Sequence, residues 1–479
     1  MAARASRPHR PRPTATRAGA GGPESIGALL ARLRLAAGLS QLRVAERLCA
    51  ASGTPTISRH EVSRWEREER IPGGFWLGWL AVVFEVPLER LEAAVATARA
   101  GGGQPPPATD HHRFWRLPQP TELLAGLDHA STHDLRDLAH TWLTGRPDPP
   151  PAAALVRTVG FPAGPTDPDD LAQLETELLN LRRNDDMVGG IDLAARVDRQ
   201  LRDAIGLLRE AVSGSVRHRR LIRLVAQLAQ LAGWVHADSG DPAAARRAYR
   251  VALRTAAAVD DRPLAAYVLA GLSHQALAAG DPAQALLLAR TAHAGAGAGA
   301  SARTQALLLH RAALALAHLG ERRAAHAALA AARQAAAPDE PVREPPWLYW
   351  LDQAELDAMT GRCLIALGRP LRACQLLAKP RPGIGPRTYA LYGGYLARSY
   401  LELGEVEQAC RVARRALRAA VAAASSRAVT ALRHLHPLLL RHRDLTVVRA
   451  YERQAANHIA FLPAHLWGRR AGARQVAVD

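Results

Sequence analysis

Apolar and polar positions along this chain recur with the spacing of helices. Residues 26–48 read IGALLARLRLAAGLSQLRVAERL, in which Leu29, Leu30, Leu33 and Leu35 line one helix face and Ala37-Gly38 ends that helix. Ser40 is placed to cap a second helix that opens on Gln41. Residues 57–72 read ISRHEVSRWEREERIP, and Ser58 and Glu61 have the S-x-x-E spacing of a capping box, so a third helix starts here. Val62 and Trp65, three apart, face the core, which turns Arg59, His60, Ser63, Arg64 and Arg67 toward solvent or a ligand. A fourth helix is predicted over 75–84, anchored by Trp76, Trp79 and Leu80. A fifth follows Pro87, with Leu88, Leu91 and Val95 inward.

Farther along, the pattern becomes periodic. Helix breakers fall at Gly240, Gly280, Gly320, Gly368 and Gly404, spaced by 40, 40, 48 and 36 residues. Five residues after each glycine stands alanine: Ala245, Ala285, Ala325, Ala373, Ala409. Seven before each stands a small residue: Gly233, Ser273, Ala313, Gly361, Ala397. Two columns locked to five loop glycines predict a stack of helical hairpins. In each, the small residue on the first helix admits the alanine of the second, and the glycine takes the left-handed turn between them. Proline opens the next helix where its missing N–H is not needed.

The expected organisation is a disordered basic arm (1–23), a five-helix module (24–100), and a linker with a short helical segment (101–167). A helical connector (168–217), a repeat domain (218–460) closed by a last helix pair over 427–460, and a C-terminal tail (461–479) follow. GGGQPPP at 101–107 marks the linker, and Phe114, Trp115 and Trp142 anchor its helical part.

Composition changes the picture in three ways. Alanine and leucine dominate and aromatics are 5%, so the fold class is all-α. The net charge is +18 and Lys379 is the only lysine, so the positive charge is arginine; a basic chain favours polyanion partners. Within 24–100, however, ten arginines meet nine acids, so charge alone does not single out that module. The four cysteines, Cys49, Cys363, Cys374 and Cys410, show no C-x-x-C spacing and are expected to be buried small hydrophobes in a reducing cytoplasm. No stretch has the apolar run of a membrane span.

Gly38-Leu39-Ser40-Gln41, Ala45-Glu46-Arg47-Leu48 and Val62-Ser63-Arg64-Trp65-Glu66-Arg67 before Pro72 resemble the Cro/repressor-type (XRE-family) helix-turn-helix. The resemblance implies roles. Arg59, His60 and Arg64 would read base edges in the major groove of double-stranded DNA. Gln41, Ser58, Ser63 and Arg67 would meet phosphates, and Arg34 with Glu66 would clamp the recognition helix. The sequence departs from the family in two places. Residues 49–56 lengthen the joint between helices 2 and 3, extending helix 2 and adding a small loop. Glu68 stands where the family has glycine, weakening the turn there. The glycine-locked columns over 218–424 resemble tetratricopeptide repeats, with Tyr249 and Tyr400 in family columns, although these units exceed the family's length. Together they imply an N-terminal five-helix helix-turn-helix domain followed by an α-solenoid of tetratricopeptide-like hairpins.

Other letter patterns carry no chemistry. His442-Arg443-Asp444-Leu445 copies a kinase catalytic loop, but Arg449 stands where asparagine is required. Residues 295–300, GAGAGA, follow no strand, and His111-His112 lacks partners for a metal. No catalytic constellation, cofactor or metal is expected. A groove lined by the first helix of each hairpin would expose Trp234, His274, His310, Tyr389 and Tyr392, with Trp347, Tyr349 and Trp350 at one end. Two readings stand. One is a transcriptional regulator, homodimeric on a near-palindromic site, whose repeats mediate dimerisation or sense a peptide, protein or small molecule. The other is a protein-interaction scaffold whose N-terminal module binds protein rather than DNA.

Overall fold

The computed structural model describes residues 24–99, 116–129, 134–145, 168–336, 344–381, 383–462 and 467. The expected basic arm, the GGGQPPP run, His111-His112, Phe114, Trp115 and most of the C-terminal tail lie outside the described residues. Among those described, every regular element is helical: twenty-one α-helices and two short 3-10 turns. No helix among the described residues is long and apolar enough to cross a membrane.

The N-terminal five are α1 (Ile26–Ala36), α2 (Gln41–Ser52), α3 (Arg59–Glu66), α4 (Gly74–Phe84) and α5 (Leu88–Arg99). Their core is Leu29, Leu30, Val44, Leu48, Val62, Trp65, Trp79, Leu80 and Leu91. Ser40 caps α2 as expected, its hydroxyl accepting from the Arg43 N–H at 3.2 Å. The long joint runs α2 on to Ser52, and Gly53 at φ 72° ends it. Leu35 departs from expectation. It is 67% exposed, because α1 buries only the Ile26–Leu30 side against α3 and α5. The capping box is also absent. Ser58 makes no side-chain cap, and Glu61 turns instead to Arg70 (2.8 Å) and Arg64 (3.7 Å).

The stretch expected as a linker holds two helices, α6 (Pro120–Asp128) and α7 (Leu135–Thr144). Neither hangs free. Leu123 of α6 is buried against later helices, and Arg254 reaches Glu122 at 2.6 Å. On α7, Trp142 and Leu143 are fully buried between α4 and a helix of the repeats, α13 (Pro282–Gly295). A Cβ on Gly295 would meet the Trp142 ring, and Glu85 pairs with Arg290. One apolar core therefore runs unbroken from Ile26 to Leu367.

Two connector helices, α8 (Pro168–Met187) and α9 (Gly190–Leu207), lead into α10 (Val216–Ser239) and α11 (Pro242–Ala258). Then come α12 (Arg262–Ala278) with α13, α14 (Ala302–His318) with α15 (Arg322–Ala335), α16 (Gln353–Ala366) with α17 (Pro370–Leu377), and α18 (Pro386–Glu402) with α19 (Val406–Ala423). α20 (Ser426–Leu439) and α21 (Thr446–Ile459) end the row. All five breaker glycines have positive φ, between 69° and 89°. All five alanines of the second column are fully buried, and the small-residue column is buried too. A Cβ on Gly233 would stand 2.7 Å from the Tyr249 ring, and Ser273 donates to the Ala285 carbonyl at 2.7 Å. Close helix approach is thus what the small column provides. Asp241 and Asp281 cap α11 and α13 ahead of their prolines.

First helices of successive pairs pack on one another, so α10, α12, α14, α16, α18 and α20 form an inner row. That row curves until its ends touch. Asp238 of α10, fully buried, accepts from Ser425 Oγ (2.7 Å) and Arg427 Nε (2.8 Å), residues at the start of α20. The cysteines divide: Cys363 and Cys410 are buried, whereas Cys49 and Cys374 are only half-buried, Cys49 Sγ lying 3.3 Å from the Ile57 carbonyl.

Candidate functional site

Two places gather polar side chains beyond what packing requires. The first is the outer face of α3. Its inner face is fixed by Val62 and Trp65, both buried, so Arg59, His60 and Arg64 stand in solvent. Arg34 of α1 grips Glu66 with two bonds, Nε to Oε1 at 2.6 Å and Nη2 to Oε2 at 3.0 Å. This fork-to-carboxylate pair, with side-chain exposures of 16% and 8%, is of the strong, geometry-fixing kind. Hydrogen bonding to Glu66 raises the Arg34 pKa further. The sequence-derived clamp is therefore present.

Gln41 belongs to the clamp as well. Its amide donates to Glu66 Oε2 at 2.8 Å, so this side chain, expected to point at a phosphate, is turned inward. Ser58 and Arg67 are exposed and Ser63 half-buried; Arg67 pairs with Glu69 at 3.0 Å. Glu68, expected to weaken the turn, makes a contact there that the sequence did not suggest. It takes the left-handed conformation (φ 58°) and its carboxylate accepts from the Gly27 N–H at 2.8 Å. A negative group there answers an unpaired donor at the start of α1. A Cβ at Gly27 would come within 2.5 Å of the Glu66 carbonyl, so the contact requires glycine. Nothing in the motif letters pointed to this pairing of Glu68 with Gly27.

The second place is a partly open cavity of about 500 Å³ lined by the inner row, the end of α8 and the segments 347–352 and 380–385. Of the five side chains named from sequence, Trp234, His274, His310 and Tyr392 line it, as do Trp347, Tyr349 and Trp350. Tyr389 does not; it is half-buried elsewhere on α18. The aromatic groups support one another. Tyr267 stacks on Trp347 at 4.4 Å and accepts from Trp350 Nε1 at 3.1 Å. Trp234 donates to Asp185 at 3.1 Å under the Arg427 guanidinium, 3.8 Å from its ring centre.

Sequence reasoning missed the charges. The C-terminal end of α8 brings Arg182, Asp185 and Asp186 to the cavity, and Arg311, Arg362, Arg381 and Arg387 enter from α14, α16, the loop after α17, and α18. Arg387 bonds Asp185 at 2.6 Å and lies 3.9 Å from Asp238. Burial alone would lower its pKa, but Asp185 and Asp238 outweigh burial and hold it charged. Burial likewise opposes ionisation of Asp238, and Arg427 and Arg387 overcome it, so this carboxyl sits below its usual range. Arg381 pairs with Glu355 at 2.5 Å, and Lys379 beside it reaches Asp357 at 2.6 Å on the rim. Burial drives His310 down to about 4 and His274 well below its usual value, in both cases aided by Arg311. A signal for these charges exists in the chain: single arginines inside otherwise apolar helices, as in LLLHRAALALA at 307–317.

No protein-family model matches the chain, and neither does any curated protein or solved structure.

Proposed function

We propose that the chain is a sequence-specific, DNA-binding transcriptional regulator. In this reading α1–α5 form the helix-turn-helix domain and α10–α21 a tetratricopeptide-like solenoid that senses an effector and joins two copies. The observation that carries it is the exposed side of α3. Arg59, His60 and Arg64 share it, while the Arg34–Glu66 fork holds the helix from behind. An arginine fork can donate twice to guanine in the major groove. One such helix offers few base contacts, so a homodimer on two half-sites about one turn apart is the working assembly.

Gln41 is better assigned to the clamp than to a phosphate. Arg67 remains a phosphate ligand, since its exposed pair with Glu69 is worth at most about 1 kcal/mol and yields readily to a polyanion. A protein-binding role for the same face has one observation in its favour: Glu61 and Glu69 lie among the arginines and pair with them.

Selection of genomic fragments by the full chain, followed by Arg64→Ala, decides between these readings. A regulator enriches a shared sequence, and the variant loses about 1–3 kcal/mol on that sequence while keeping most affinity for random DNA. Equal loss on both removes the base-reading role. No enrichment at low ionic strength removes the regulator.

A further inference from the structure

We propose that the cavity inside the inner row binds a small organic anion with a planar apolar body, its charged head held by guanidinium groups and its body laid on the aromatic wall. This deepens the sensor role above and rests on it only for any consequence at DNA.

Charge matching around the cavity is incomplete. Six arginines line it: Arg182, Arg311, Arg362, Arg381, Arg387 and Arg427. Four carboxylates do: Asp185, Asp186, Asp352 and Glu355. Asp185 and Asp186 go to Arg387 (2.6 and 3.6 Å), and Asp186 also accepts from Tyr349. Glu355 takes Arg381 and Tyr392, and Asp352 caps α16. Arg427 uses Asp238 behind the wall. Arg182, Arg311 and Arg362 are left, and among the described residues none has a carboxylate within ion-pair distance. Arg182 donates to the neutral amide of Gln227 at 2.9 Å. Arg311 has His274 Nδ1 at 3.3 Å, and Arg362 lies over the Tyr395 ring at 5.1 Å.

Such an arrangement is costly when the cavity holds only water. Unpaired charge removed from solvent is costly, and a carboxylate or phosphate recovers that cost through paired N–H donors. Burial already lowers Arg182 and Arg311 to about 10, which records that cost. Buried hydrogen-bonding atoms also stand without partners among the described residues: Arg311 Nε, Arg381 Nη1 and His310 Nδ1. His310 is only 4% exposed and, like His274, stays neutral at pH 7, so neither adds charge. The apolar half of the site is the Tyr267–Trp347–Trp350 wall with Leu314 and Met359. The volume suits a metabolite-sized ligand rather than a folded partner.

The test uses the full chain without DNA, so a failure here is separate from a failure of DNA recognition. The probe is 2-naphthoate, followed by tryptophan fluorescence and calorimetry, against the uncharged isostere 2-naphthamide and against inorganic phosphate. One saturable site is expected, at least tenfold weaker for the amide and for phosphate. Arg311→Gln and Arg362→Gln should each weaken naphthoate binding about tenfold, with thermal melting showing that both fold; Arg32→Gln, on an exposed N-terminal pair, should leave it unchanged. Equal binding of amide and carboxylate overturns the proposal, as do folded Arg311→Gln and Arg362→Gln proteins that bind like the parent. Phosphate binding as tightly as naphthoate removes the aromatic half of the site.

Discussion

Arginine around α3 and arginine around the cavity are held in contrasting ways. On α3 and just after it, Arg64, Arg67 and Arg70 stand in water and each meets a glutamate two to nine residues away in sequence. Such pairs are screened by salt and contribute little to folding, so they can open for a ligand at small cost. Around the cavity, Arg387 meets carboxylates some 150 to 200 residues distant, and Arg182 and Arg311 meet none. Those groups cannot move without disturbing the ring of helices. The same residue type thus serves an adaptable surface at one end of the molecule and a preorganised interior at the other.

Four measurements press on that contrast. Asp238→Ala strips Arg387 and Arg427 of a fully buried partner and parts α10 from α20; urea denaturation should show a loss of about 3–5 kcal/mol. A loss below 1 kcal/mol would mean that the ring does not depend on its closing ion pair.

Acid comes next. His310, His274 and His293 all have values lowered by burial, so below about pH 6.5 the unfolded chain takes up protons that the folded chain refuses. Stability therefore falls as pH drops from 6.5, and for His310 the fall continues to about 4, amounting to about 3 kcal/mol. Asp238 acts in the same direction in a lower window: its lowered value adds stability that is full above the ordinary carboxyl range and is lost as pH falls below it. His310→Gln should flatten the slope between pH 6.5 and 4.5, and an unchanged slope would discard this account.

Arg34→Ala removes the fork from Glu66 and should cost about 2 kcal/mol, since bonds to a charged, partly buried carboxylate are lost. Smallest of all, Arg59→Ala and Arg64→Ala should change denaturation midpoints by no more than about 0.5 kcal/mol. A cost near that of Arg34→Ala would show that the α3 face is structural.

Much of this was legible in the chain because it is local. The glycine ladder with its flanking small residues and alanines marked helix ends and helix contacts, and both are found as read. The clamp followed from the motif letters. What escaped depends on distant contacts. Glu68 looked like a defect until its carboxylate met Gly27, 41 residues away. Ser58 and Glu61 had the letters of a capping box, but Arg70, brought close by the turn after α3, captured Glu61. Most of the cavity's aromatic residues could be placed from the first helices of the hairpins and the segment before α16, but Tyr267 was missed and Tyr389 is turned from the lumen. Its charges could not, since Asp185 and Asp186 reach it only because α8 packs against α10 and α18.

Lys379 has a practical consequence. It carries the one side-chain amine in 479 residues, half-exposed in its pair with Asp357 and next to Pro380 and Arg381 of the cavity lining. An amine-reactive fluorophore would therefore tag this lysine, alongside the chain's α-amino group, without any engineered cysteine. Its emission would report occupancy of the neighbouring lumen in the unaltered polypeptide.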